Sequence, residues 1–291
     1  MAPIVRPVAH AFRGQETIEG AGVRLHRLFG NAHVPTFDPF LLLDNFSSTN
    51  PADYVAGFPW HPHRGIETVT YMLEGRVAHG DSLGNSGVID SGDVQWMSAG
   101  SGIIHQEMPE RKEGLLAGFQ LWVNLPSQLK MEVPAYRGLA AKEIPHVTTP
   151  EGHRVTIVAG EFQGVEGPVE GIPVDPRYLD ITLGPEGEMD VPTEPGHTSF
   201  AYTVDGTAEF ASASPKPVER DTAVLFGDGD SVRVKAGAEG SRFLLVSGRP
   251  LHEPVAWWGP IVMNRPEELS EALTELRRGD FIKHSKVIDE E

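Results

Sequence analysis

Cysteine is absent from the 291-residue chain. Without it, disulfide bonds, thiolate metal ligands and cysteine nucleophiles are excluded. The absence fits a reducing compartment, where disulfides rarely persist.

Long apolar runs and an excess of basic residues are missing as well. No stretch of about 18 apolar residues occurs, and no basic segment followed by an apolar core opens the chain. We therefore expect a soluble, cytoplasmic protein without a membrane span. The 24 Lys and Arg residues are outnumbered by 41 Asp and Glu residues, which gives a net charge of −17. Because binding to nucleic acid phosphates depends largely on basic residues, we expect no direct nucleic acid partner.

Length and turn content indicate two domains rich in short strands. A chain of 291 residues is long enough for two separate cores. Its 32 glycines and 24 prolines suit many strands joined by tight turns. Strict alternation of side-chain type in the segment 119–125 is typical of a half-buried strand.

Two pairs of potential metal ligands stand out. His61 and His63 form one pair, and His105 and Glu107 form another about forty residues later. Residues i and i+2 of a β-strand point to the same face, so each pair can converge on one point. Pro62 has no backbone N–H to donate, which favours a sheet edge for the first pair. We interpret the two pairs as one mononuclear site with three imidazoles and one carboxylate.

A simpler interpretation exists for each pair. An isolated His-x-His pair is commonly polar surface without any metal. The second pair, in a similar glycine-rich strand setting, makes the metal interpretation the stronger one.

Several motifs of the chain resemble the pirin family, a branch of the cupin superfamily. They lie at 38–44, 61–69, 92–97, 100–107 and 259–264. The resemblance implies an all-β bicupin, with two antiparallel β-barrel (jelly-roll) domains and one metal ion, usually iron, in the first barrel. Carried over by position, the metal ligands would be His61, His63, His105 and Glu107.

A second carboxylate competes for the fourth ligand position. The general cupin pattern has a ligand Glu close behind His-x-His, and Glu67 stands at that spacing. Gly100 and Pro109 replace the proline and asparagine of the general second motif, which favours the pirin branch and Glu107. Glu67 stays a candidate for holding a ring nitrogen of a histidine, as does Gln106.

The predicted domains are 1–130, a metal-binding barrel, and 131–291, a barrel without metal that ends in a helical tail. The ligand pairs are not repeated in the second half, where His197 stands without a His-x-His partner. We therefore expect no second metal.

The tail has helical periodicity. Leu269, Ala272, Leu273 and Leu276 follow the spacing of one apolar helix face. Asn264 with Glu267 is a predicted capping pair, and Gly279 a predicted end of the helix.

The resemblance implies two functions. Some pirins are similar to quercetin 2,3-dioxygenases, so we expect a divalent metal, Fe(II), that supports opening of quercetin or a similar flavonol with O2. Glu107 would then be both ligand and general base. The alternative is a non-catalytic iron-binding regulator that binds a partner protein in response to redox state. We expect a monomer in either case.

Overall fold

The structure is a computed structural model and describes residues 3–110, 114–211 and 216–284. Within these ranges the chain folds mainly into antiparallel β-strands, which confirms the all-β prediction. The strands of the first half are β1 (Val8–Arg13), β2 (Gln15–Glu19), β3 (Val23–Phe29), β4 (Phe40–Asn45), β5 (Phe58–His63), β6 (Ile66–Glu74), β7 (Arg76–Asp81), β8 (Ser86–Asp90), β9 (Val94–Ser98), β10 (Ile103–Pro109), β11 (Ala117–Asn124) and β12 (Ala135–Leu139).

The strands of the second half are β13 (His146–Thr148), β14 (Arg154–Ala159), β15 (Glu161–Phe162), β16 (Val165–Glu166), β17 (Arg177–Leu183), β18 (Glu188–Pro192), β19 (Thr198–Phe210), β20 (Pro217–Glu219), β21 (Thr222–Phe226), β22 (Ser231–Gly248), β23 (Ala256–Trp258) and β24 (Ile261–Met263). Helix α1 (Pro266–Arg278) follows them. Single 3-10 turns are formed by Asn31–His33, Pro51–Asp53, Ser127–Leu129 and Ala141–Glu143.

The chain forms two compact units, the two barrels of a bicupin. The N-terminal barrel takes Gln15–Ala141 together with the segment from Leu251 onward. The C-terminal barrel takes the segment up to Gly14 together with Lys142–Pro250. The predicted division at residues 130 and 131 differs from this arrangement at both ends of the chain.

Strand pairing explains the difference. Strand β1 pairs along its length with β21, so the first residues of the chain belong to the C-terminal barrel. Strand β12 pairs with β9 and extends the N-terminal barrel beyond residue 130. Both pairings join segments distant in sequence, and the local pattern of a strand does not name its partner.

The N-terminal barrel has two main sheets. One has the order β12-β9-β6-β11-β4-β3-β2, and the other has the order β5-β10-β7-β8. Leu25 and Met72 from the first sheet meet Val77 and Ile89 from the second in one buried apolar cluster. The sheets therefore pack face to face, and the strands with the His-x-His and His-x-Glu pairs are neighbours in the smaller one.

The C-terminal barrel is organised around one long sheet of order β1-β21-β19-β22-β17-β14-β13, with β18 and β20 added beside it. Its interior is a continuous apolar cluster that includes Ile157, Leu179, Phe210 and Phe243, all at most 2% exposed. Apolar side chains from successive strands fill this barrel.

Helix α1 packs on the N-terminal barrel. Ala272 is buried with Ile261, Met263 and Phe281, and the predicted apolar leucines pack around them, which confirms that face of the helix. Gly279 ends the helix at a φ of 82°, as predicted. Among the described residues, no helix is long and apolar enough to cross a membrane.

The N-terminal cap of this helix differs from the prediction. Glu268, one residue after the predicted Glu267, accepts hydrogen bonds from the backbone N–H groups of Asn264 and Arg265. The Asn264 side chain instead donates to Glu253. Pro266 sets the first helical position, which moves the capping carboxylate to Glu268.

Candidate metal centre

Strand pairing brings the two ligand pairs together. Strands β5 and β10 are antiparallel neighbours, with His61 opposite His105 and His63 opposite Ile103. The register shifts between the pairs His105–His61 and Glu107–Phe58, so β5 holds one extra residue there. The bulge lies in the proline-containing strand, as expected where a backbone donor is missing.

The three histidines form a compact group. The ring centroids of His61 and His105 are 4.4 Å apart, and His63 lies 4.9 Å from each of the other two rings. Their ligand nitrogens all lie within 4.8 Å of one another. Three imidazoles at this separation can bind one ion.

The surroundings of all three imidazoles favour the neutral form. Burial lowers the pKa of His61 and, more strongly, those of His63 and His105, and the neighbouring histidines lower the latter two further. The neutral ring is the form that binds a metal ion. Nδ1 of His61 donates to the carbonyl of Pro59 at 2.9 Å, since a carbonyl can only accept, and this leaves Nε2 as its lone-pair nitrogen.

Two ring nitrogens of the group are buried without a hydrogen-bond partner among the described residues. They are Nδ1 of His63 and Nε2 of His105. A backbone hydrogen bond with Pro260 opposes the fall in the pKa of His63. Buried polar atoms are nearly always paired, so unpaired nitrogens in a histidine cluster fit a bound ion.

Glu107 lies in the same barrel but outside this group. Its carboxylate is not among the atoms within the 4.8 Å limit. It is buried, and burial raises its pKa to about 7, opposed by a hydrogen bond from Thr70. The Thr70 hydroxyl lies 2.8 Å from Oε1 of Glu107 and 2.6 Å from Oε1 of Gln120. Because a hydroxyl donates a single proton, either the Gln120 amide is turned to donate or Glu107 carries a proton.

The structure places Glu67 away from the histidines. Strand β6 is regular between Glu67 and Thr70, so these residues three apart point to opposite faces. Glu67 accepts a hydrogen bond from Nε1 of Trp96 at 3.0 Å, and burial raises its pKa to about 7. Glu67 is therefore not placed to hold a ring nitrogen of these histidines, contrary to the expectation from its spacing. By the same alternation, Gln106 faces away from His105 and Glu107.

A cavity of about 650 Å³ opens beside the group and is lined by His61, His63 and Glu107. Much of its wall is apolar, including Leu42, Phe58 and Trp122. The Trp122 ring stands edge-on to His63 with centroids 5.1 Å apart. A cavity of this size and character suits a small organic ligand.

Four polar residues of this wall were not predicted as functional from the sequence. Thr70, Gln120, Asp44 and Arg27 all line the cavity. Polar residues at alternate positions of otherwise apolar strands are the signal that could have identified them.

Comparison with known proteins identifies the family. A family model described as Pirin matches residues 22–123, and one described as Pirin C-terminal cupin domain matches residues 178–282. The chain is 44% identical over 278 residues to a pirin-like protein of Caulobacter vibrioides, which covers 95% of this chain and 99% of that protein. This chain belongs to the pirin family.

A second pirin and a solved structure are also similar to this chain. Human pirin is 43% identical over 267 residues, covering 90% of this chain and 89% of the human protein. The crystal structure of quercetin 2,3-dioxygenase from Acinetobacter baumannii matches with a TM-score of 0.87 at 32% identity, covering 95% of this chain and 98% of that chain. The pirin resemblance of the sequence motifs is thereby confirmed.

Proposed function

We propose that this pirin is a metal-dependent dioxygenase that opens the ring of quercetin or a similar flavonol with O2. The observation that carries the proposal is the cluster of neutral His61, His63 and His105 beside a cavity of about 650 Å³. The similarity to a solved quercetin 2,3-dioxygenase supports it. A flavonol combines flat aromatic rings with adjacent carbonyl and hydroxyl oxygens, which suits an apolar cavity ending in a metal site.

The residues proposed to hold the ion are His61, His63, His105 and Glu107. Imidazole and carboxylate donors suit several divalent metals, and intrinsic affinity would favour copper over iron. We propose Fe(II) because of the pirin family and of metal availability in the cell. Such an ion supplies a Lewis acid with coordination positions open to small oxygen ligands.

Glu107 is proposed as the fourth ligand and as the base that takes the hydroxyl proton of the substrate. In the ionised form that this role requires, its Oε1 accepts from Thr70, which fixes the orientation of the carboxylate. The lone pairs that Thr70 leaves unused are available to an ion or to that proton. Apolar neighbours such as Trp122 and Phe58 exclude water from the flavonol rings and hold them flat.

Oxygen uptake tests this proposal. Protein loaded with Fe(II) is mixed with quercetin, and consumption of O2 and loss of the flavonol absorbance are followed together. We expect turnover in the wild type and none above background in His61→Ala. Saturating iron without oxygen uptake would contradict the proposed activity.

A second candidate function is favoured by the charge of the chain. With a net charge of −17, the protein suits a basic protein surface better than nucleic acid. We propose, as the alternative, an iron-binding regulator of a partner protein. Iron-saturated protein that binds a partner yet consumes no O2 would favour this role. The cytoplasmic location and the monomeric state stay predictions.

A further inference from the structure

A row of polar side chains crosses the wall of the cavity in the N-terminal barrel. Thr70 on β6 is opposite Gln120 on β11, Gln120 is opposite Asp44 on β4, and Asp44 is opposite Arg27 on β3. Residues opposite each other in neighbouring strands share a face of the sheet. All four line the cavity that also contains Glu107. The row therefore begins beside Glu107 and ends at Arg27.

At the far end of the row, Arg27 holds the carboxylate of Asp44 in a fixed orientation. Nε and Nη2 of Arg27 donate to the two oxygens of Asp44 at 2.9 and 2.7 Å, and Nη1 donates to Glu19 at 2.8 Å. The Asp44 residue is only 5% exposed. A two-point guanidinium contact fixes the plane of the carboxylate, while each oxygen keeps capacity for a further donor. Asp44 is thus an acceptor held in one orientation.

Distance and charge define what this end can recognise. Asp44 lies two strands from Thr70, which is about 10 Å at ~4.8 Å per strand. This end of the wall has two carboxyl groups, those of Glu19 and Asp44, against the single guanidinium of Arg27. A ligand carboxylate or phosphate would meet an excess of acidic groups. A neutral hydroxyl that donates a proton would find an oriented acceptor.

We propose that Asp44, held by Arg27, is the specificity-determining residue that binds a phenolic hydroxyl at the end of the substrate remote from Glu107. The inference rests on the proposed flavonol function and makes it more specific. It assigns the site to neutral, polyhydroxylated aromatic substrates. Flavonols without hydroxyls beyond the metal-binding pair, and acidic aromatic compounds, bind more weakly.

Anaerobic binding of two matched flavonols tests the assignment. Quercetin and 3-hydroxyflavone share the adjacent carbonyl and hydroxyl, but only quercetin has further ring hydroxyls. Each is titrated into iron-loaded wild type, Asp44→Asn and Asp180→Asn protein. Asp180 is the matched control, because Arg242 holds it by the same two-point contact in the C-terminal barrel, at 3.0 and 2.6 Å.

We expect the wild type and Asp180→Asn to bind quercetin about tenfold more tightly than 3-hydroxyflavone, the lower limit for a hydrogen bond to a charged group. Asp44→Asn loses that preference while its affinity for 3-hydroxyflavone is unchanged. Should Asp44→Asn fail to fold, Arg27→Lys replaces it, since it keeps the charge but loses the two-point hold.

Two results would overturn the assignment in different ways. Equal affinities for the two flavonols in the wild type, or a preference retained in the folded variant, would remove the role of Asp44 and leave the dioxygenase proposal standing. Absence of binding by either flavonol to iron-loaded wild type would remove the proposed function itself.

Discussion

The interiors of the two barrels differ although both are built from antiparallel strands. The C-terminal barrel is filled with buried apolar side chains such as Leu179, Phe210 and Phe243. The N-terminal barrel instead surrounds a cavity of about 650 Å³ whose wall includes histidine, glutamate, aspartate and arginine. One barrel is closed by apolar packing, whereas the other leaves a cavity lined by polar groups, and the proposed function uses that cavity.

Removing one histidine from each barrel tests this division most strongly. His105→Ala deletes one of three neighbouring imidazoles and should abolish stoichiometric iron binding and any turnover. His197, in the C-terminal barrel, lies 3.9 Å from Asp175, and His197→Ala should leave iron content unchanged. Metal content after gel filtration is the measurement. Equal loss of iron in the two variants would contradict the account.

Truncating one phenylalanine in each barrel measures the difference in packing. Phe243 is fully buried and stands edge-on to Phe210 at 5.6 Å, so Phe243→Ala should lower the free energy of unfolding by about 3–5 kcal/mol. Phe58 lines the cavity and is only partly buried, and Phe58→Ala should cost about 1–2 kcal/mol. Urea unfolding of both variants gives the comparison. Similar losses would mean that the cavity wall is packed as tightly as the other core.

Glu67, a buried carboxyl of the N-terminal barrel, should make the stability of the protein depend on pH. It accepts a hydrogen bond from the uncharged indole of Trp96. Burial raises the pKa of Glu67 from 4.5 to about 7, so the folded state binds more protons than the unfolded state between these pH values. Stability therefore falls as pH rises through this window.

Replacing Glu67 by glutamine isolates that contribution. Glu67→Gln keeps an acceptor for Trp96 and should remove this part of the pH dependence, with a gain on the order of 2–3 kcal/mol at pH 8 over the wild type. Urea midpoints from pH 4.5 to 8 provide the measurement. Parallel curves for the two proteins would show that Glu67 ionises as easily in the folded state as in the unfolded one.

Replacing one buried threonine in each barrel should give the smallest changes in stability. The Thr70 hydroxyl bonds to Glu107 and Gln120, so Thr70→Val should destabilise the protein by about 1 kcal/mol. Among the described residues, the Thr203 hydroxyl of the C-terminal barrel is buried without a partner, so Thr203→Val should be neutral or stabilising by up to ~1 kcal/mol. Thermal unfolding distinguishes the two. Stability changes of the same sign in the two variants would contradict the view that only the Thr70 hydroxyl takes part in stabilising hydrogen bonds.

The sequence predicted the features that depend on short spacing. The His-x-His and His-x-Glu pairs rest on i and i+2 alternation, and His61, His63 and His105 do meet. The apolar face of α1 and its end at Gly279 likewise follow from local pattern. The proposed role of Glu107 as a ligand stays a prediction.

The features that the sequence missed depend on pairing between distant strands. Glu67 has a ligand-like spacing, yet its strand presents it to Trp96 on the other face. The polar row from Thr70 to Arg27 exists only because three strand pairs share one register. Strand β1 joins the C-terminal barrel through β21, more than two hundred residues away. Such registers are set by the whole fold rather than by any one segment.

The central claim is that three imidazoles of the N-terminal barrel bind a single ion. X-ray absorption at the iron edge, on protein with a measured iron content, tests it most directly. The account predicts one iron per wild-type chain with imidazole scattering from about three histidines, and no stoichiometric iron in His63→Ala. Wild-type protein that retains no iron after loading, a spectrum without imidazole scattering, or full iron content in His63→Ala would contradict it.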